Sequence, residues 1–259
     1  FIKQIMLKNI VSAIKAYFKT FQLISKLRLW KYFGIPVLIS LLTATAIGFI
    51  AWGLSDNIGA FISKIWFWEW GAETFRTISD VLGALIIIAI GLILYKHIIM
   101  ALSAPFMSPV SEKIEQHFLG TIHTHRNTTN ASQLWRGIRI NVRNLLLELL
   151  FTIPILLLSL IPIVNIFTSV LLFLVQSYYA GFGNMDYTLE RHFTYRESIS
   201  FVKRNKGTAL GNGIVFMAML LIPVVGIILV LPLSVTAASS ETVKLLQKDM
   251  LLKQQEIKE

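Results

Sequence analysis

The sequence predicts an all-α integral membrane protein: two long transmembrane helices followed by two Pro-cornered, partly inserted helical hairpins. Three observations predict it. Of 259 residues, 55% are hydrophobic and only 15% charged, against roughly a quarter charged in a soluble domain. Polar side chains are too few to cover a water-soluble globule. Tyr32–Ser55 is an unbroken run of 24 residues without a charge. Two later apolar blocks each break at an Ile-Pro-aliphatic-Val corner, Ile161-Pro162-Ile163-Val164 and Ile222-Pro223-Val224-Val225.

Composition also excludes whole classes of function. The absence of cysteine removes disulfide frameworks, thiolate metal sites, cysteine nucleophiles and iron–sulfur clusters. The 24 Lys+Arg against 14 Asp+Glu leave a net charge of +10. In a membrane protein such an excess collects in cytoplasmic loops and faces anionic lipid. It is spread over several loops rather than massed on one module, so nucleic acid is not expected as a partner.

Residues 1–31 carry Lys3, Lys8, Lys15, Lys19, Lys26, Arg28 and Lys31 and no acid. At helical periodicity Lys8, Lys15, Lys19 and Lys26 fall within a sector of roughly 40°. A basic amphipathic helix follows, suited to a membrane surface, a groove on its own protein, or plain solvation of its charged stripe. The basic region is too long for a cleaved leader, and the apolar run after it is a full span. That run, 32–55, is about 36 Å long as a helix, enough for a hydrocarbon core of about 30 Å. The acid-rich loop 56–80 belongs outside, with the N-terminus inside. Its Trp66, Trp68 and Trp70 read as an interfacial anchor.

The second span is placed at 81–105 and contains Lys96 and His97. Lys96 either snorkels to the interface or is a functional intramembrane charge. The basic segment 106–143 returns inside. The blocks 144–185 and 207–240 form hairpins one and two, joined by a basic cytoplasmic loop at 186–206 and followed by a cytoplasmic tail at 241–259. In hairpin two the arms 207–222 and 227–240 measure roughly 24 and 21 Å. They are short for a crossing, which favours a re-entrant dip. Hairpin one, with longer arms, is left open between dipping and spanning. The whole chain reads as a single membrane domain.

No catalytic constellation is present: no Gly-rich phosphate loop, no His-Glu-x-x-His and no paired carboxylates in an apolar setting. His123-Thr124-His125 has no third ligand at a telling spacing, so no metal is expected. Glu148 is the one acid deep in an apolar block, five residues after Arg143. It reads as a buried pair, a contact with another helix, or a proton relay. An enzyme is not expected, nor is a cofactor. Transport fits, because it needs polar groups and broken helices at membrane depth rather than a nucleophile.

Several segments resemble the CysZ sulfate-permease family, of which this chain looks like a divergent member. They are Ala104-Pro105-Phe106, Ser111-Glu112-Lys113-Ile114-Glu115, Met185-Asp186-Tyr187, Arg191-His192, Phe193-Thr194-Tyr195-Arg196-Glu197, Arg204 and Leu210-Gly211. The likeness covers roughly 12–242 and lies in their order and spacing. It implies a homo-oligomeric protein of the bacterial inner membrane, both termini cytoplasmic, moving sulfate or a related oxyanion inward along a gradient. In that family a Gly-Leu-Gly-x-Arg-like loop before the first span is associated with sulfate. Here the stretch is Ser25-Lys26-Leu27-Arg28-Leu29-Trp30-Lys31. Lys31 matches a family arginine and Arg28 stands where glycine is usual. Lys26, Arg28 and Lys31 are the first candidates for anion binding; Lys96, His97, Glu148, Arg191, His192 and Arg196 are secondary. Without the glycines that let backbone N–H groups cradle an oxyanion, a second reading stays open: a non-transporting scaffold or anchor subunit of an envelope complex.

Overall fold

The computed structural model describes residues 2–63, 90–120, 129–159, 164–222 and 224–256. Every regular element among them is helical. α1 (Ile2–Ala16), a 3-10 turn (Tyr17–Lys19), α2 (Thr20–Lys26) and a second 3-10 turn (Leu29–Tyr32) lead into α3 (Gly34–Ser63). α4 (Ile90–Leu102) meets α5 (Ala104–Leu119) at a bend of 67°. α6 (Asn130–Ser159), α7 (Asn165–Leu189), α8 (Tyr195–Arg204), α9 (Lys206–Leu220) and α10 (Val225–Glu256) complete the order. The Trp66, Trp68 and Trp70 anchor, His123, His125 and both corner prolines, Pro162 and Pro223, lie outside the described residues.

Local chemistry explains the breaks. Arg28 adopts φ 52° and ends α2 in a left-handed turn, and Gly120 at φ 74° closes α5. Pro105 sits in the first turn of α5, where its missing N–H is harmless. Thr194 and Glu197 form a reciprocal capping box that starts α8, with the Thr194 N–H donating to Glu197 Oε2 at 2.7 Å. Residues 1–31 are thus two helices and two tight turns rather than one amphipathic rod.

Among the described residues four helices are long and apolar enough to cross a membrane, within Gly34–Leu54, Asn130–Ser159, Ile166–Leu189 and Gly226–Leu251, and the bent α4–α5 pair passes the same test as a broken span or a re-entrant loop. They differ in what covers them. The Gly34–Leu54 stretch is 17% buried, whereas Gly226–Leu251 is 83% buried. α3, α6 and α7 therefore turn Phe49, Trp52, Leu157 and Phe167 outward, as side chains facing hydrocarbon do. α10 is the post around which α1, α3, α5, α7 and α9 pack.

The helix pairs at the centre meet backbone to backbone. A Cβ at Gly213 would sit 1.6 Å from the Ser177 carbonyl oxygen, and one at Gly181 would sit 1.8 Å from that of Ala209. α7 and α9 consequently lie in contact with no side chain between them, the small-residue packing expected where lipid offers no hydrophobic drive. α1 seats on α9 in the same way: a Cβ at Gly211 would meet the Ile10 carbonyl oxygen at 2.4 Å. The polar start of α9 is absorbed by this packing. Asn212 donates to the Ser234 carbonyl at 3.0 Å and accepts from Asn184 at 2.9 Å.

α10 continues through Pro232 and past residue 240 to Glu256. Glu241 does not stop it because the carboxylate is buried, accepting from Ser12 Oγ at 2.6 Å and Lys244 Nζ at 2.5 Å. The corner itself is tight: Val224 has φ 64°, and a Cβ at Gly226 would meet the Met219 carbonyl oxygen at 2.3 Å.

Candidate functional site

α4 exposes Ile90, Leu94 and Leu102, leaves Leu92 and Ile98 half-buried and buries the rest. Lys96 is about 200° around the helix from Leu94, so it points into the bundle and cannot reach an interface. α6 faces it with a buried stripe at Gly137, Ile140, Asn141, Asn144, Glu148, Thr152 and Ile155. The two helices approach closely because Gly137 lies against Ala101 and Ala104.

Lys96, His97 and Glu148 converge there. Lys96 Nζ donates to Glu148 Oε1 at 2.7 Å, with both side chains fully buried. It also reaches the Gln176 carbonyl at 3.3 Å. His97 Nε2 lies 3.0 Å from Glu148 Oε2, and its Nδ1 lies 3.3 Å from Asn141 Oδ1. Asn141 in turn donates to the Gly137 carbonyl at 2.9 Å. Both ring nitrogens of His97 therefore face oxygens. The alternatives of a snorkelling Lys96 and of an Arg143 partner for Glu148 are replaced by this arrangement. Arg143 instead bonds Asn144 Oδ1 at 2.9 Å and lies over the Phe182 ring.

A second network closes the loop after α7. Arg191 bonds Glu115 Oε2 at 2.9 Å and Ser111 Oγ at 2.7 Å. His192 Nε2 contacts the other Glu115 oxygen. Beside it, Arg136 grips Asp186 through Nε at 3.0 Å and Nη2 at 2.9 Å, and donates to the Phe193 carbonyl at 2.7 Å. Glu190 accepts from Ser108 Oγ. Burial pushes its carboxyl up to about 7, and Asp186 adds to the rise; Ser108, Arg191 and Arg136 oppose it. Arg191 and His192 are in effect fastenings between α5 and the end of α7.

The cations just before α3 do not converge. Lys26, Arg28 and Lys31 are all exposed. Lys26 lines a cavity of about 370 Å³ with Lys19, His117 and Lys244, which contains neither Arg28 nor Lys31. Lys31 lies over the Tyr32 ring at 5.3 Å. Arg196 is exposed on α8. Arg28, standing where the resembled family has glycine, holds the left-handed backbone that glycine favours. Sequence reasoning missed Glu115 and Asn141. Asn141, Asn144, Glu148 and Thr152 recur at helical spacing within an apolar helix, and that polar stripe is the signal that could have found Asn141.

The family model for "Sulfate transporter CysZ/Etoposide-induced protein 2.4" matches residues 16–230, from the end of α1 into α10. No curated protein matches the chain. The match takes in the α4–α5 bend, both buried networks and the α9–α10 corner, and by it this all-helical membrane protein belongs to the CysZ/Etoposide-induced protein 2.4 family.

Proposed function

We propose that this chain is a CysZ-like anion transporter of the bacterial inner membrane, with sulfate as substrate and both termini in the cytoplasm. Family membership supports a membrane transport role. The observation that carries the anion is the buried Lys96–His97–Glu148 cluster. Ionisable side chains at membrane depth are costly and mark ion or substrate pathways. Here Lys96 and His97 both face the one Glu148 carboxylate, a pair of donors for which an entering anion can compete.

The physics of passage follows. Lys96 and His97 are adjacent on α4, and an arriving oxyanion would compete with Glu148 for the same two donors. Breaking the bonds to Glu148 would loosen α4 from α6. The exposed Lys26, Arg28 and Lys31 would raise the local anion concentration at the mouth. The cluster is sealed in one chain, so the conducting form is a homo-oligomer or an opened bundle.

Labelled sulfate uptake into liposomes tests this. Saturable uptake that falls at least tenfold in Lys96→Met is expected. A folded, oligomeric protein with no flux above empty liposomes would overturn transport and favour the scaffold role.

A further inference from the structure

Between α1, α6, α7 and α9 lies an open groove of about 720 Å³ that the transport reading does not use. Its lining is divided along its length. Arg143, Lys203 and Lys206 stand at one end with Tyr178. Leu147, Phe151, Leu171 and Leu174 extend away from them. On α6 the eight helical steps from Arg143 to Phe151 span about 12 Å along the helix axis. On α7, running the other way, Leu171 and Tyr179 are equally far apart. The groove is therefore basic at one end and apolar at the other, with the change made over the height of a headgroup and the first part of an acyl chain.

Among the described residues none of the three cations enters an ion pair: Arg143 bonds the neutral Asn144 side chain and lies over the Phe182 ring, while Lys203 and Lys206 are exposed. Phe151 and Leu171 at the other end are half exposed, at 51% and 47%. A hydrophobic partner helix would cover the apolar end but leave three positive charges facing it. A free anion would satisfy the charges and leave the apolar end bare. One class of molecule satisfies both ends.

We infer that this groove seats one anionic phospholipid, its phosphate among Arg143, Lys203 and Lys206 and an acyl chain along Leu147, Phe151, Leu171 and Leu174. Basic pockets between membrane helices take anionic headgroups in this way. The lipid would bridge α6, α7, α8 and α9. The site stands whether or not the protein carries sulfate.

Native mass spectrometry of the delipidated full chain in neutral detergent tests it, with phosphatidylglycerol and phosphatidylcholine as probes. The wild type is expected to hold one phosphatidylglycerol per chain, at least tenfold tighter than phosphatidylcholine. Each cation near a charged surface is worth about fivefold, so Arg143→Gln/Lys203→Gln/Lys206→Gln should lose on the order of a hundredfold for phosphatidylglycerol only. Leu174→Trp, which fills the apolar end, should lose both lipids while circular dichroism shows an intact helix content. Equal binding of the two lipids by the wild type would overturn the inference. Retention of phosphatidylglycerol by a folded Leu174→Trp protein would overturn it too, since the attraction would then be diffuse. The chain has no native cysteine, so Phe151→Cys gives a unique probe. Its cross-linking to a second copy, with no lipid bound, would make the groove a subunit interface instead.

Discussion

Two cationic regions of this protein obey different electrostatics. Lys96 and His97 are locked to Glu148 with no access to water, whereas Lys26, Arg28 and Lys31 stand in solvent on a turn before α3. In the first region charge is unscreened, desolvation is severe and geometry is fixed by close helix packing. In the second, charge is screened within about 10 Å and acts on approach rather than on fold. A mutation in the buried region therefore reports on stability before it reports on transport. One in the exposed turn reports on transport with the fold left intact.

The largest effect should come from Glu148→Ala, which strands Lys96 in the bundle. A loss of about 3–5 kcal/mol is expected, measured by denaturant unfolding in detergent. The paired replacement Lys96→Met/Glu148→Leu should recover most of that stability while abolishing sulfate flux. If the double variant is as unstable as the single one, the cost is cavity and packing rather than charge.

Glu190 gives an intermediate case, buried but outside the spans. Its carboxyl titrates near 7 in the folded protein, against about 4.3 in an unfolded chain. Between those values the native state binds a proton that the unfolded chain has released. The contribution is thus fully present below about pH 4 and lost as pH rises through 7, by about 3–4 kcal/mol. Asp186, Arg191, Arg136 and Ser108 face this carboxyl. Glu190→Gln should flatten the stability profile between pH 5 and about 7; an unchanged slope would assign it to other groups.

Arg28→Gly separates the two kinds of effect at one position. It should raise stability by about 1 kcal/mol by relieving the left-handed backbone, and at the same time slow anion entry by removing a charge. Smallest is Lys31→Ala: no change in Tm, with sulfate uptake reduced a few-fold at low salt. Raising the salt toward 1 M should erase that difference. A stability loss here would mean that the turn is structural and not an anion mouth.

Much of the architecture was legible because burial in a membrane leaves a coarse signature. The run Tyr32–Ser55 could be read from the lack of charge alone, as could the break at Ile222-Pro223. What escaped was decided by which surface each residue meets. Lys96 was open to two readings because nothing local tells which side of α4 lies against α6. The residues Gly207, Thr208, Gly211, Asn212 and Gly213 looked too polar for a membrane arm. They are instead the contact surface of α9 toward α1, α7 and α10. Glu241 read as the start of a cytoplasmic tail, yet it is buried and accepts from Ser12, 229 residues away in the chain. Pairings of that span carry no trace in any sequence window.

The central position of α10 has a consequence for how the protein is made. It leaves the ribosome after α1 to α9, yet it is the element they pack against. At about 5–20 residues per second, its end emerges roughly 10–40 s after that of α3. Until α10 is present, the faces of α1, α3, α5, α7 and α9 that pack on it lack their central neighbour. A nascent chain stalled before Val225 therefore presents Ser12, Tyr17 and Asn212 without the Glu241 and Ser234 groups they bond in the finished bundle. Closure of the bundle waits on α10.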